Sequence, residues 1–209
     1  MNKPHIQIIV GTTRPNRVGL NVAKWFKDIA DSRNDMTFEL LDLADINLPL
    51  FDEPHSPSMN NYEHDHTKQW SKVIARADGY VFVTGEYNHS IPASLKNAID
   101  YLYHEWNHKA VSFVSYGGMG GVRAVEHLIG VANELKMVSV RERVQIIEVW
   151  SALDENGVPK TEYIKGDPST LLDELSWWTA ATMHARGADQ ESSKFFAESI
   201  SKRLVAKER

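Results

Sequence analysis

Short, largely apolar runs alternate with helical stripes along most of this chain, and that alternation restricts its possible folds more than any other feature. Ile6 to Val10 is a run rich in β-branched residues, and Gly79 to Thr84 is the most apolar run of all. Further strands are expected over Thr37–Leu43, Ala110–Val114 and within Val138–Ile147. Between these runs lie residues at helical spacing: Val18, Val22, Phe26, Ile29; Trp70, Val73, Ile74, Ala77; Leu95, Ala98, Ile99, Leu102, Trp106; and Ala124, Val125, Leu128, Ala132, Leu135. Strands that read as continuous apolar runs suit a parallel sheet buried on both faces, and their alternation with helices predicts an α/β domain. Right-handed crossovers then bring every strand-to-helix loop to one edge of the sheet, where open α/β sheets bind ligands.

Residues 150–209 break the alternation. Asp154 to Gly157 reads as a turn, Leu171, Leu175, Trp178 and Thr182 as a helix, and Phe196, Ile200 and Leu204 as a terminal one. We therefore expect one domain over residues 1–186 and a helical tail over 187–209. The 209 residues contain no cysteine, which excludes disulfides, thiolate metal sites and thiol redox chemistry. Redox work by such a chain needs a borrowed cofactor. The net charge of −5 comes without a long basic block, so no nucleic-acid partner is expected. The apolar run at Ile6–Val10 is too short for a signal-peptide core or a membrane span. A soluble cytoplasmic protein without a membrane partner is the expectation. His55, His64 and His66 cluster with Glu63 and Asp65, but at none of the zinc spacings, and no metal is expected. Ser115 lies in no GxSxG elbow, which argues against a serine hydrolase.

Three loops carry the candidate chemistry. The first, Gly11 to Gly19, joins a strand to a helix and contains Thr12, Thr13, Arg14 and Arg17. Backbone N–H groups at a helix start attract anions, hydroxyls add donors and arginines add charge, so a monophosphate fits. The loop is neither GxxxxGK[ST] nor GxGxxG, so it reads as neither a triphosphate nor a dinucleotide loop. The second, Gly85-Glu86-Tyr87-Asn88-His89-Ser90-Ile91-Pro92, follows the most apolar strand. Tyr87 offers a flat wall, Asn88 a donor and an acceptor, and Ser90 an N-cap for the next helix. The third, Ser115 to Gly121, has four glycines in seven residues and lets backbone approach a flat ligand.

The segment Gly85 to Asp100, GEYNHSIPASLKNAID, resembles the PEYNxSxPxxLKNAID segment of the NAD(P)H-dependent FMN reductases, a family that includes quinone, chromate and azo-dye reductases. Gly11 to Arg14 is similar to that family's GSxR phosphate loop, and Leu48 to Glu53 and Ser115 to Gly118 add to the likeness, which runs over roughly residues 5–150. The resemblance implies a flavodoxin-like three-layer sandwich with a five-stranded parallel sheet and FMN at its C-terminal edge. It implies that Thr12, Arg14, Arg17 and Val18 hold the phosphate. Gly85, Glu86, Tyr87 and Asn88 would line the isoalloxazine, and Ser115, Tyr116, Gly117 and Gly118 its pyrimidine side. It also implies a homodimer or homotetramer, for which Trp106 and the Tyr101–Tyr103 pair are candidate interface aromatics. Two departures stand out: Gly85 where the family usually has Pro, and Arg17 where a phosphate-binding Ser is common.

The function so implied is transfer of electrons from NADH or NADPH through FMN to a small acceptor such as a quinone, azo compound, metal oxyanion or free flavin. No side-chain catalytic dyad is needed, since the flavin carries the chemistry. Arg123 is a candidate for meeting a 2′-phosphate. The alternatives are a non-enzymatic electron carrier on the same fold, and a redox-responsive flavin-binding partner protein that docks through Trp177, Trp178, Phe195 and Phe196.

Overall fold

The computed structural model describes residues 3–207, with side chains described through residue 187. In chain order its elements are β1 (His5–Val10), α1 (Gly19–Asp31), β2 (Thr37–Asp42), α2 (Leu43–Ile46), α3 (Asp65–Ala75), β3 (Gly79–Gly85), α4 (Ala93–Asp100), β4 (Ala110–Tyr116), α5 (Val122–Glu134), β5 (Val138–Ser139), β6 (Val144–Ile146), α6 (Val149–Ala152), β7 (Ile164–Lys165) and α7 (Pro168–Lys207). Parallel pairing gives the order β2-β1-β3-β4, followed by β6 and then antiparallel β7, while β5 pairs with β4 beside β6. This is a flavodoxin-like α/β sheet. Among the described residues it has seven strands rather than the expected five.

The difference has a local cause. Val111 pairs with Ser139 and Val114 with Val144, so a three-residue step on β4 faces a five-residue step on its neighbour. The two surplus residues bulge and split the fifth strand. Ser112 Oγ donates to the Glu142 carbonyl at 2.8 Å, giving the bulge a partner inside the sheet. β7 adds only Ile164 and Lys165, too few residues for any periodicity to announce.

The two faces of the sheet sort the apolar residues by the two-residue period of a strand. Ile6, Ile8 and Val10, Val81 and Val83, and Ala110 and Val114 pack with Val22 and Phe26 of α1 and Leu171 and Leu175 of α7. Ile9, Tyr80, Phe82, Val111 and Phe113 pack on the other side with Ile74 of α3, Leu95 and Ile99 of α4, and Leu128 of α5. The chain runs out from β1 to β2 on one side and returns to β3 on the other. The strand order therefore reverses beside β1, and the crevice that such a reversal opens lies between the loops after β1 and β3.

Several expectations change in detail. Ser90 does not cap α4; Pro92 holds the cap position without a side-chain hydrogen bond, and Ser90 Oγ pairs with His127 Nδ1 at 2.8 Å. Helix α4 stops at Asp100, and Leu102 and Trp106 are buried from the turns beyond it. Trp106 and Tyr101 lie in the core, so they offer no surface to a second subunit. The long loop before α3 is pinned by its own acids. Glu53 accepts the backbone N–H of Glu63 (2.8 Å) and His64 (3.0 Å), and Tyr101 donates its hydroxyl to Asp52 (3.0 Å), which also meets His66 Nε2 (3.1 Å). Among the described residues no group of three or more His, Cys, Asp or Glu is arranged to hold a metal ion. Helix α7 passes residues 186 and 187 without a break. The side chains of Phe195, Phe196, Ile200 and Leu204 lie outside those described.

At the far edge of the sheet, Lys109 is buried. Its Nζ donates to Tyr80 Oη (3.0 Å) and to the carbonyls of Ala75 (3.3 Å) and Ile74 (3.4 Å) at the end of α3. Burial, with Arg186 nearby, lowers its pKa from 10.5 to about 8. Below pH 8 the ammonium is charged in both folded and unfolded chains, and its burial opposes folding in full. Between pH 8 and 10.5 the unfolded chain binds more protons, so stability rises with pH. Urea unfolding of the wild type should show that rise, and Lys109→Met should flatten it. An identical slope in the two proteins would show that Lys109 titrates in the fold as it does in water.

Candidate functional site

The loops after β1, β3 and β4 meet at the C-terminal edge, because their strands end in register: Val10 beside Val83, and Gly85 beside Tyr116. A fourth segment, α6 after β6, joins them. Together they enclose a cavity of about 710 Å³, within the usual range for a small-molecule site of roughly 300–1,000 Å³. Of the residues expected from sequence, Arg14, Val18, Gly85, Glu86, Tyr87, Asn88, Tyr116, Gly117 and Gly118 line it, and Thr12, Arg17 and Ser115 do not.

These three have other partners. Thr12 is buried, and its hydroxyl shares a hydrogen bond of 2.9 Å with the Tyr116 hydroxyl. Ser115 Oγ donates to the Gly120 carbonyl at 2.6 Å and so ties down the glycine loop from below. Arg17 is ion-paired through Nη2 with Asp42 at the end of β2. Its buried Nε has no protein partner among the described residues, leaving a donor that an arriving anion can satisfy.

The first loop presents unpartnered donors. Gly11 N–H donates to the Val83 carbonyl, but among the described residues no protein acceptor takes a backbone N–H of Thr12, Thr13, Arg14, Asn16, Arg17 or Val18. Asn16 has a φ of 58°, which turns the loop back toward the helix start. Helix α1 has no side-chain cap and no acidic residue in its first turn, so the positive end of its dipole is uncompensated. Free N–H groups, an uncapped helix and the exposed Arg14 form a donor set that fits a phosphate monoester.

The second loop is a tight turn. Tyr87 and Ser90 exchange backbone hydrogen bonds (2.9 and 3.0 Å), and both central residues, Asn88 (φ 49°) and His89 (φ 72°), are left-handed. That is the geometry of a primed two-residue turn, where Asn is favoured. The N–H groups of Glu86, Asn88 and His89 have no protein acceptor among the described residues. Polar ring atoms of a flat heterocycle can take them. The Glu86 side chain is committed elsewhere: one carboxylate oxygen accepts the Arg123 N–H (3.1 Å), and the other is ion-paired with the Arg123 guanidinium. Burial raises the Glu86 pKa, but these contacts outweigh it and hold the carboxyl below its ordinary range. Arg123 is thus fixed on Glu86 rather than directed at a 2′-phosphate.

In the third loop the left-handed residues are Gly120 (φ 73°) and Gly121 (φ 74°), so Gly118 is not the position that requires positive φ. A Cβ on Gly118 would meet the indole of Trp150 at 3.2 Å. Trp150, Val149 and Leu153 line the cavity from a segment that sequence reasoning missed, and Met119 and His89 line it from within the expected loops, though neither was singled out. The signal was present: a fifth parallel strand must also deliver its loop to this edge, and Trp150 is the one bulky aromatic there.

Comparison with known proteins follows this geometry. Residues 4–151 match the family model for NADPH-dependent FMN reductase. The chain is 45% identical over 136 residues to an NAD(P)H-dependent FMN reductase of Schizosaccharomyces pombe, an alignment covering 64% of this chain and 68% of that one. It is 29% identical over 181 residues to a 2-hydroxy-1,4-benzoquinone reductase of a Burkholderia species, covering 83% and 94% respectively. Among solved structures, FerB, an NAD(P)H:(acceptor) oxidoreductase of Paracoccus denitrificans, superposes with a TM-score of 0.61 at 20% identity, covering 86% of this chain and 94% of that one.

Tyr116 is the post that these loops share. A Cβ on Gly19 would run into its hydroxyl and would sit 2.6 Å from Thr12 Oγ1. Gly19→Ala should therefore cost about 1–3 kcal/mol by overpacking, measured by urea unfolding. Tyr116→Phe alone should cost about 1 kcal/mol for the lost hydrogen bond. Combined, the two should cost less than their sum, because the second removes the colliding oxygen. Simple additivity would mean that the tyrosine oxygen does not fill that space.

Proposed function

The chain belongs to the NADPH-dependent FMN reductase family, and on that premise we propose that the cavity at the C-terminal sheet edge holds FMN and then admits NADH or NADPH and a small acceptor in turn. The activity is flavin-dependent oxidation of NAD(P)H. When bound, FMN supplies the two-electron relay between the nicotinamide and the acceptor. The observation that carries the assignment of the site is the set of unpartnered backbone N–H groups from Thr12 to Val18 beside Arg14 and the uncapped start of α1.

In this reading each loop has a separate task. Arg14 and the N–H groups of Thr12 to Val18 hold the phosphate, with Arg17 Nε as a further donor. Thr12 acts from beneath, through its bond to Tyr116, and Ser115 fixes the glycine loop by its bond to Gly120. The free backbone N–H groups of Glu86, Asn88 and Gly118 meet the ring edge, while Tyr87 and Gly117, whose N–H groups go to Ser90 and Ile146, line it without donating. Such donors are worth most where negative charge develops, which favours the reduced ring. Gly85 leaves room for the Tyr116 ring behind the site, and Val18 supplies apolar wall. No side chain needs to act as a general base.

The relatives' names include FMN reductases, quinone reductases and an azoreductase, which supports a flat organic acceptor. Residues 1–186 form the flavin-binding unit in this reading, with 187–209 as its tail, of which the part through Lys207 continues the last helix. No helix among the described residues is long and apolar enough to cross a membrane. A cysteine-free chain that consumes NAD(P)H suits the cytoplasm. We further assign a homodimer or homotetramer. With Tyr101 and Trp106 in the core, the support shifts to Leu50 (82% exposed), Phe51 and Met59.

Two measurements test this reading. Titration with FMN should give a protein-bound flavin spectrum and raise the melting temperature. Arg14→Ala should weaken FMN binding ten-fold or more, since a hydrogen bond to a charged group is worth about 1.5–3 kcal/mol. An unchanged dissociation constant would return Arg14 to a solvated turn, and no binding at all would remove the flavin site. Light scattering at micromolar concentration should give a multiple of 23.7 kDa, and a monomer would exclude the assembly.

A further inference from the structure

The cavity has an aromatic feature that the phosphate and ring loops do not use. Trp150 is 85% exposed, the most exposed of the large hydrophobic side chains among the described residues, yet it lines the cavity. Two further exposed apolar residues, Met119 and Tyr87, line it as well. Exposed apolar groups gathered at the mouth of a cavity mark a contact surface for something apolar.

The position of Trp150 is fixed by backbone rather than by its own packing. Glu148 N–H donates to the Gly118 carbonyl (3.1 Å) and Val149 N–H to the Gly117 carbonyl (3.3 Å), so the segment is stitched to the glycine loop. Glu148 has a φ of 47°, a strained value for a residue of its type, and α6 starts directly after it. The tight reversal lays the indole edge against Gly118, where even a Cβ would crowd it. The indole is thus held over the glycine loop with most of its surface still facing solvent.

Charge narrows what that surface can take. Of the two arginines lining the cavity, Arg14 belongs to the phosphate loop, and the charge of Arg123 is balanced by Glu86, with its buried Nε left without a partner among the described residues. The exposed surface at the mouth, Trp150 with Met119 and Tyr87, is a setting for a flat uncharged ring. We propose that Trp150 is the stacking platform of the acceptor subsite and sets a preference for flat aromatic acceptors over small anionic ones. Met119, flexible and polarizable, adapts the mouth to rings of different outline. The inference rests on the flavin-site reading above.

The test uses the full chain loaded with FMN, as wild type, Trp150→Ala and Trp150→Phe. A neutral 1,4-naphthoquinone and ferricyanide serve as acceptors, and calorimetry measures naphthoquinone binding to the oxidised protein. FMN titration of all three proteins comes first. Trp150→Ala should raise the naphthoquinone dissociation constant and KM at least five-fold with a smaller change in kcat. The ratio of kcat/KM for naphthoquinone to that for ferricyanide should fall by a similar factor. Trp150→Phe should recover most of both losses. If wild type binds no FMN, the flavin reading falls and takes this inference with it. If all three bind FMN alike and the naphthoquinone constants do not move, the platform alone is refuted. If Trp150→Ala loses FMN instead, the indole serves the cofactor, and the acceptor assignment is wrong.

Discussion

Tyr116 closes β4 beneath two loops at once. Its ring lies under Gly85, where a Cβ would come within 3.0 Å of it, and its hydroxyl shares a hydrogen bond with Thr12 beside Gly19. Burial raises its pKa to about 12, so at neutral pH it stays a phenol and can keep that bond. The loop after β1 and the loop after β3 are therefore referred to one buried post rather than positioned separately. If one ligand spans the two turns, its phosphate at the first and its ring at the second as proposed above, the distance between them must be correct. A shared core contact fixes that distance without any contribution from the exposed side chains of either loop.

The fold was legible because its signal is the burial of whole strands. Ile6 to Val10 is apolar on both faces but for Gln7, and Gly79 to Thr84 is apolar on both, a pattern that suits a doubly covered parallel sheet. The fifth strand was legible as a region but not as two pieces. The break depends on two surplus residues opposite Ser112, and its hydrogen bond to Glu142 is a tertiary event with no periodic trace. Strand β7 was invisible for a related reason: two residues on an edge gain their structure from their neighbour.

The site was legible where chemistry sits in backbone and obscure where it depends on side-chain direction. Glycines, short hydroxyls and the Tyr-Asn-His-Ser turn announced three loops, and those loops do converge. Direction was another matter. Arg17 turns to Asp42, Arg123 to Glu86, and Ser90 to His127, each choosing a partner distant in sequence. Trp150 shows the complementary failure. Val-Trp-Ser-Ala by itself does not tell a core tryptophan from one at a cavity mouth; its place after the fifth strand points to this edge, and the hydrogen bonds from Glu148 and Val149 to the glycine loop hold it there.

Gly85 illustrates how a departure from a family pattern is absorbed. The related segment carries proline there, and a proline ring needs room on the side where Tyr116 lies. Here the aromatic ring fills that room, and the strand ends in a residue with no side chain to oppose it. The stiffness that proline gives a loop through its fixed φ is supplied by other means. Gly85 is the last residue of a strand paired on both sides, and the turn beyond it is closed by the two Tyr87–Ser90 hydrogen bonds. Gly85 and Tyr116 thus fit one another in the core, and both loops at this sheet edge rest on that contact.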